Sequence, residues 1–495
     1  MFGKVIGELQ EERMATKNLL KKTVAIVLSV MLVFCFSSFA FADDLDIAAA
    51  PVHIWDGSAD TSWFSGAGTY HITTPEQLAG MWKLHAQNEE TFKGTTILID
   101  NDLYLNANSE DYLSWGKSAP ENEWDPIGYK MTSLKDFAAD IDGQGHTIYG
   151  MYVNALKSDR VEYGGVFGYY SGGSVKNLNV SQSYVIGEGY KGAALLIGAV
   201  EGTYVENCST SGYVLSNGYG AGGIAGTMGI NHKNSVIENC TSDATVDANN
   251  ISYAGGILGE ISNYAGTVEE CTFTGKVING SYAVGGIVGD DDPVESFAKS
   301  YVNYNTCSGL VCGKSCVGGI IGDTAIKGSE VTNNTFDGVI LHDSGKDINQ
   351  IVGKDLYKTG AVDDNYDDGK ILTSGKTISK GGVKYKIKSV KLDGTAKVEV
   401  SGLSKTSVKS ITIPKSVLYR DVLKCSIKSI GKSAFSSKSL KTIEIEATGI
   451  SAVSKDAFKG LSTSATIKVP SSKKSAYTKL FKKSGMSSSI KVKTL

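Results

Sequence analysis

The sequence predicts a mainly β fold: a parallel β-solenoid with an N-terminal cap, followed by a smaller second repeat domain. Three observations predict it. A Gly-Gly-aliphatic-x-Gly element recurs at near-constant spacing through the middle of the chain. Glycine is abundant, at 58 of 495 residues, while Pro is scarce at 7, and Tyr (24) outnumbers Phe (15). Such a composition suits short strands joined by tight turns rather than helices. Charge is also unevenly divided. Residues 43–370 hold 18 Lys and Arg against 43 Asp and Glu, an excess of 25 negative charges. Residues 371–495 hold 26 against 6, an excess of 20 positive charges, so two domains with different partners are expected. A hydrophobic content of 41% argues against disorder.

Residues 1–42 read as a signal peptide. Lys17, Lys21 and Lys22 form a basic region, Val24 to Phe36 an apolar one, and Ala40-Phe41-Ala42 a small-residue cleavage site before Asp43. The apolar run is short for a membrane anchor, and its small-residue exit favours cleavage. The residues before Met14 are acidic and foreign to such a basic region, so both Met1 and Met14 stand as starts. No later segment reads as a transmembrane span, and no sortase-type terminal motif is present.

Residues 161–370 carry the repeats. Copies end at Gly168, Gly198, Gly226, Gly259, Gly289, Gly322 and Gly353, spaced 30, 28, 33, 30, 33 and 31 residues apart. The copy at Ala194–Gly198 is degenerate, and Ile351-Val352-Gly353 is a faded last one. A second element follows: Val175-Lys176-Asn177-Leu178, Val205-Glu206-Asn207-Cys208, Ile237-Glu238-Asn239-Cys240 and Val268-Glu269-Glu270-Cys271, with a looser version ending at Cys307. No unit of this length buries a core alone; stacked coils do, each pairing its backbone with the next. Cys208, Cys240 and Cys271 then form an internal ladder of small hydrophobes or of neighbouring thiols open to oxidation. Cys307, Cys312 and Cys316 cluster where the repeat loosens, with room for one local disulfide. No His stands at zinc-ligand spacing.

Residues 43–160 form the cap and first coils. Thr74-Pro75-Glu76-Gln77 reads as a capping box with Pro at the first helical position. Leu78, Met81, Trp82 and His85 follow on the amphipathic helix it opens, suited to covering the first coil's open edge. His85 is assigned no catalytic part. With these residues in view the chain resembles the GLUG-repeat proteins. Trp55-Asp56-Gly57, Ile72 to Leu78, Asp125-Pro126-Ile127-Gly128 and Asp142-Gly143-Gln144-Gly145-His146-Thr147-Ile148 look like their lead-in. The Gly-Gly-Ile-x-Gly and Glu-Asn-Cys units look like the repeats themselves. The resemblance spans about residues 55–370 and implies a right-handed β-helix in exported bacterial surface proteins. Some family members carry a metallopeptidase domain, but no H-E-x-x-H motif occurs here, so no protease is carried over.

Residues 371–495 form the basic domain. Ile430-Gly431-Lys432-Ser433-Ala434-Phe435 is echoed 23 residues later by Val453-Ser454-Lys455-Asp456-Ala457-Phe458. Strand-like runs accompany them at Ile411–Pro414, Leu440–Ile445 and Ala465–Pro470, and Tyr477 to Leu495 reads as a terminal cap. This stretch resembles the BspA-like leucine-rich repeats, in two or three copies, and the resemblance implies adhesion or wall association.

Three features are candidates for function. Tyr163, Tyr190, Tyr219, Tyr253 and Tyr282 each precede a Gly-Gly element by a few residues; stacked outside, they would suit sugar rings, and otherwise they are a structural ladder. Glu206, Glu238 and Glu269 also stack, beside the acidic turn Asp290-Asp291-Asp292; a solvated acidic face is preferred to calcium. Asp363, Asn365 and Asp367 begin like a calcium loop, but Gly369 stands one place too late and no Glu closes it. The alternative of a β-helix polysaccharide lyase or glycoside hydrolase needs paired carboxylates or a cation with a basic residue, and no spacing singles out a pair. The expected protein is therefore a secreted, cell-surface or wall-associated scaffold without catalytic residues, cofactor, metal or nucleic-acid partner. Its expected partners are an extracellular glycan or host-surface protein, and an anionic cell-wall polymer held through residues 371–495. A purely structural role is the remaining alternative.

Overall fold

A β run of three to five residues has one face to bury and no partner within its own unit, so coils stack. In the computed structural model, sheet 1 has eight strands: Thr69–Ile72, Thr96–Ile99, Asp140–Asp142, Ser174–Lys176, Tyr204–Glu206, Ser235–Glu238, Gly266–Glu269 and Tyr301–Asn303. Neighbours are parallel and in register, with Val175 beside Val205, Val205 beside Ile237 and Ile237 beside Val268. Sheet 2 has seven strands, from Phe167–Ser171 to Val352–Asp355, each beginning within a copy of the glycine motif. Sheet 3 has fifteen strands and makes the longest side of the coils. Sheet 4 has four strands, Ser252–Gly255, Tyr282–Gly285, Ser315–Gly318 and Lys346–Asn349. Together they make a parallel β-solenoid of about 11 turns, with 46% strand and 9% helix. The structure describes residues 52–495 apart from 108, 129–135, 158–161, 190–191, 232, 251, 292–298, 325–328, 344 and 356–361. The expected signal peptide, both starts, Tyr190 and Asp292 lie outside the described residues.

Each glycine of the motif meets a different obstacle. A Cβ on Gly255, the first of its triplet, would lie 2.0 Å from Leu258 O in the same coil. One on Gly256 would lie 2.2 Å from Gly286 O in the next coil, and one on Gly259 would lie 2.4 Å from Ala221 N in the coil before. The motif thus records three close backbone approaches, within and between coils.

From Asn177 onward a left-handed residue recurs once per coil: Asn177, Asn207, Asn239, Glu270, Tyr304, Asn333 and Asp364 all have φ between 51° and 59°. Asn tolerates this conformation; Glu and Tyr do so at a cost. The residue that follows points inward, and these residues form a ladder. Cys208, Cys240 and Cys271 occupy it as expected, each thiol directed at a carbonyl of the preceding coil, Val175, Val205 and Ile237. The looser version assigned to Cys307 is corrected. The ladder continues through Asn305 and Asn334, which are buried, to Asn365. Asn305 Oδ1 accepts from Cys271 N at 2.9 Å, and its Nδ2 donates to Val268 O at 2.9 Å. Asn334 Nδ2 donates to Val302 O at 2.7 Å and Asn365 Nδ2 to Val331 O at 2.7 Å. Asn365, the middle of the calcium-like stretch, is therefore a ladder residue.

The cap helix α1 spans Pro75–Asn88. Thr74 is its N-cap, accepting from Gln77 N, while Gln77 Oε1 accepts from Thr73 N at 2.8 Å. Leu78, Met81 and Leu84 join the same core as Ile72 and Ile97 of the first coils. His85 is buried there, its Nδ1 2.7 Å from Glu90 O, and burial lowers its pKa.

The C-terminal part opens with a stretch that the repeats did not foretell. Thr377–Lys380, Val383–Lys391 and Thr395–Leu403 pair antiparallel before the repeat strands begin. Ser410–Ile413, Thr442–Ile445, Thr466–Val469 and Lys491–Thr494 then stack in parallel, beside helix α2 at Lys474–Lys483. Inside them Phe435 stacks on Phe458 at 5.7 Å, and Phe458 meets Phe481 edge to face at 5.1 Å. This core is continuous with the outer face of sheet 3, through Ile278, Leu310, Cys312, Val339, Leu341 and Leu372. Asn279 N donates to Leu392 O, and Arg420 reaches Asp337 O and the Asp368 carboxylate. His53–Leu495 accordingly forms one compact unit.

The asparagine ladder and its turns generate a paired expectation. Asn334→Ala strands Val302 O and the Asn305 amide inside the core and should cost about 2–4 kcal/mol. Tyr304→Asn relieves a left-handed residue and should stabilise by up to about 1 kcal/mol. Urea melts of the mature chain check both. Equal melts for all three proteins would remove the ladder as a source of stability.

Candidate functional site

Alternation along sheet 3 sends every second residue outward, and in-register stacking repeats it once per coil, roughly 4.8 Å apart. One outward rank reads Thr147, Asn179, Ser209, Thr241, Thr272, Thr306 and Thr335. Two residues further on stand Tyr149, Ser181, Ser211, Asp243 and Thr274. Between the ranks, Ser242, Phe273, Cys307 and Phe336 point into the core. The ranks from Thr147 to Thr274 line a groove of about 540 Å³ on the outside of the solenoid.

At its N-terminal end Tyr149 stacks on Tyr104, with centroids 4.8 Å apart and planes 11° from parallel. Ser209 Oγ donates to Asn179 Oδ1 at 2.5 Å, and Asn179 Nδ2 donates to Gly145 O at 2.8 Å. Gly275, Gly309 and Gly338 stack at the bend that follows; a Cβ on Gly338 would lie 2.2 Å from Gly309 O. Beyond the bend the outward positions are apolar and covered towards both ends of the sheet, with the polar Thr245, Asp247 and Lys276 between them. Trp115 packs over Tyr152, Tyr184 and Ile186 near the cap, and the basic domain covers Ile278, Leu310 and Leu341 further along. The groove is the uncovered limb of the sheet. It offers hydroxyls, one aromatic pair and the carboxylate of Asp243, an array that can hydrogen-bond a polyhydroxylated chain. A single carboxylate cannot supply both an acid and a base or nucleophile for glycoside cleavage.

The structure does not gather the tyrosines singled out in the sequence into one column. Tyr163 is buried against Tyr169 at 5.8 Å, its hydroxyl pKa raised by burial. Tyr219, Tyr253 and Tyr282 are half-buried and touch in turn, at 5.1 and 6.4 Å. The register partner of Tyr282 is Ser252, so Tyr253 and Tyr282 are offset by one residue. The Tyr282 hydroxyl bonds Asp323 and accepts from Lys354 Nζ at 3.0 Å; burial and that carboxylate raise its pKa. A true column, Tyr152, Tyr184 and Tyr213, went unnoticed, although its spacing follows the coil period. Its last two rings stack at 5.0 Å.

Glu206, Glu238 and Glu269 do stack in register, one per coil. Lys176 pairs with Glu206 at 3.1 Å, and the Tyr204 hydroxyl bonds Glu238. Burial and then Glu238 raise the Glu269 carboxyl pKa. Among the described residues no group of three His, Cys, Asp or Glu side chains is placed to hold a metal ion. The sequence left room for one local disulfide among Cys307, Cys312 and Cys316; all three are free thiols. They face different surroundings: Cys307 lies in the core beside Phe273 and Phe336, Cys312 at the contact with the basic domain, and Cys316 beside Ser315. Burial pushes the Cys307 thiol up to about 12. No helix among the described residues is long and apolar enough to cross a membrane.

Comparison with known proteins adds three findings. Residues 404–494 match the BspA type leucine-rich repeat region, in six copies where the sequence reading counted two or three. Over 294 residues, 59% of this chain, the protein is 26% identical to halomucin from Haloquadratum walsbyi. That match spans 3% of halomucin's length. Among solved structures it is similar to one described as a "putative immunoglobulin A1 protease" from Bacteroides ovatus, with a TM-score of 0.39 and 17% identity. That likeness covers 62% of this chain and 84% of the other.

Proposed function

We propose that this protein is an exported, non-catalytic surface scaffold of GLUG-repeat type that binds an extended extracellular glycan along the sheet 3 groove. The observation that carries the reading is the double rank of hydroxyls. A polysaccharide repeats its own hydroxyls at about the spacing of stacked strands, so a chain lying along the solenoid meets the same donors and acceptors coil after coil. Each contact is weak, and affinity comes from their number.

The lysine-rich face of residues 371–495 is the second binding element. Lys384, Lys386 and Lys388 alternate outward along one strand, and Lys432, Lys438, Lys455 and Lys459 are exposed on the repeats. The described ion pairs of this region engage Lys388, Lys391, Arg420 and Lys468, leaving much of its positive charge directed at solvent. Lys is a hydrated point charge, so attachment to an anionic wall polymer would be diffuse and sensitive to salt. The leucine-rich-repeat match and the likeness to halomucin support a surface or secreted location.

The mature chain would be applied to a glycan array, assayed for reducing-sugar release, and sedimented with purified cell walls at low and high salt. Binding to one class of polysaccharide is expected, without release of sugar. Replacing Thr241 and Thr272 by Val should weaken it about tenfold through loss of two hydrogen bonds. Wall retention should disappear at high salt and in a variant with Gln at positions 432, 438, 455 and 459. Sugar release abolished by Asp243→Asn would establish the carbohydrate-active enzyme instead. Unchanged binding in the Thr241/Thr272 variant would remove the groove, and capture of a host-surface protein in place of any glycan would change the ligand class.

A further inference from the structure

The hydroxyl rank outlasts the groove it lines. Beyond Thr272 it continues through Thr306 and Thr335 and ends on Tyr366, the register partner of Thr335. From Thr147 to Tyr366 the rank takes seven coil steps, which at the strand spacing is about 34 Å. Every member before Tyr366 is Thr, Asn or Ser, so nothing charged or bulky interrupts it. Aromatic rings stand at both ends. The stacked pair Tyr104 and Tyr149 marks the start. At the far end Tyr366 is 63% exposed and Tyr304 is 58% exposed. Tyr304 stands two places before Thr306, and Asn305 between them is buried, so the two share the outer side.

Folding explains neither exposed ring. Tyr304 holds a φ of 59° at a corner that Asn207, Asn239 and Asn333 occupy in other coils. Asn bears that backbone readily, and a bulky side chain does so at a cost. A tyrosine kept there with most of its surface in water adds strain and returns no burial. Strain held at an exposed aromatic points to a contact made outside the chain. Tyr366 takes the place that Thr241, Thr272, Thr306 and Thr335 fill in the coils before it. It exchanges a small hydroxyl for a flat π face with a hydroxyl at its tip, the shape that stacks on a sugar ring.

The second rank sets the charge of the ligand. Two places beyond Thr241, Thr335 and Tyr366 stand Asp243, Asp337 and Asp368. Asp368 pairs with Lys370 and Arg420, while Asp243 and Asp337 form no ion pair among the described residues. Carboxylates spread along the track repel a chain that carries its own. We propose that the groove is the first part of a track running the whole hydroxyl rank, that Tyr304 and Tyr366 are its far sugar-stacking platforms, and that its ligand is a linear, uncharged polysaccharide held over about seven or eight successive sugars. This rests on the glycan reading of the groove and adds the length, the far end and the charge of what it holds.

The test titrates the mature full-length chain calorimetrically with cello-oligosaccharides and chito-oligosaccharides of increasing length, and with oligogalacturonates as acidic counterparts. Affinity for one neutral series should climb about two- to tenfold with each added sugar and level off at about seven or eight. Oligogalacturonates should bind about tenfold or more weakly. Tyr366→Ala should weaken the longest chain about fivefold and bring the plateau forward to about six sugars, and Tyr366→Phe should keep both. Tyr304→Asn should weaken the longest chain while raising the urea midpoint, opposite signs that a tyrosine serving the fold would not give. No binding of either neutral series, or binding indifferent to the Thr241/Thr272 variant, removes the groove and this inference with it. Binding that is weakened in that variant yet levels off by about three sugars, ignores both tyrosines or accepts oligogalacturonates equally overturns the inference and leaves the groove standing.

Discussion

Everything in this protein rests on the close approach of one coil's backbone to the next. Parallel in-register pairing satisfies each strand's donors and acceptors only if successive coils lie a strand spacing apart on every side at once. On sheets 1 and 3 ordinary side chains allow that. At the fold-back between sheets 4 and 2 the chain contacts its own coil, the next and the one before, and where the motif is complete no Cβ fits at its three points. The glycine triplet is the answer, and its spacing is the coil length written in sequence. Because the triplet recurs in five of the seven copies, the rest of each coil is held in register. Unrelated residues then become ladders: three thiols followed by three asparagines inside, three glutamates on one face, hydroxyls on another.

Some of this was legible in the sequence and some was not. The coil period, the stacked glutamates, the cysteine ladder and the capping helix were readable, because each depends on residues repeating at a fixed offset. The switch from Cys271 to Asn305 was not, because a thiol and an amide share no pattern although both bond carbonyls of the coil before. Cys307 was mistaken for the next rung because identity of residue type was followed two places out of register. The hydroxyl groove was missed for a related reason: Ser and Thr between short runs read as turns, and only the register shows them aligned. The tyrosines before each glycine pair looked like a column, but a one-residue offset at Tyr282 breaks it.

The charge asymmetry suggested two separable halves, and the structure qualifies that picture. Buried apolar residues of the last coils and of the basic domain form one core, and Arg420 holds the carbonyl and carboxylate oxygens of the acidic half. Separating the halves near residue 371 would expose Leu310, Val339 and Leu341, so their functions belong together in the intact chain. The basic domain does structural service as well, covering the outward apolar limb of sheet 3 that Trp115 covers at the other end. The limb before the bend keeps its outward ranks polar and open from Thr147 to Thr274, which is the reason the groove is the surface assigned to a ligand.

Backbone contact at the glycine triplet holds the coils in register, and hydrogen exchange followed by mass spectrometry on the mature chain carrying Gly289→Ala measures that hold. The added methyl would lie 2.4 Å from Gly259 O and 2.6 Å from Ala254 N, both in the preceding coil. Protection should be lost across Ser252–Ile261 and Tyr282–Asp291, at an overpacking cost of about 1–3 kcal/mol. Protection in α1 and in the leucine-rich repeats should persist. Unchanged protection and stability in this variant would contradict the claim, and would leave the coils held by their sheets alone.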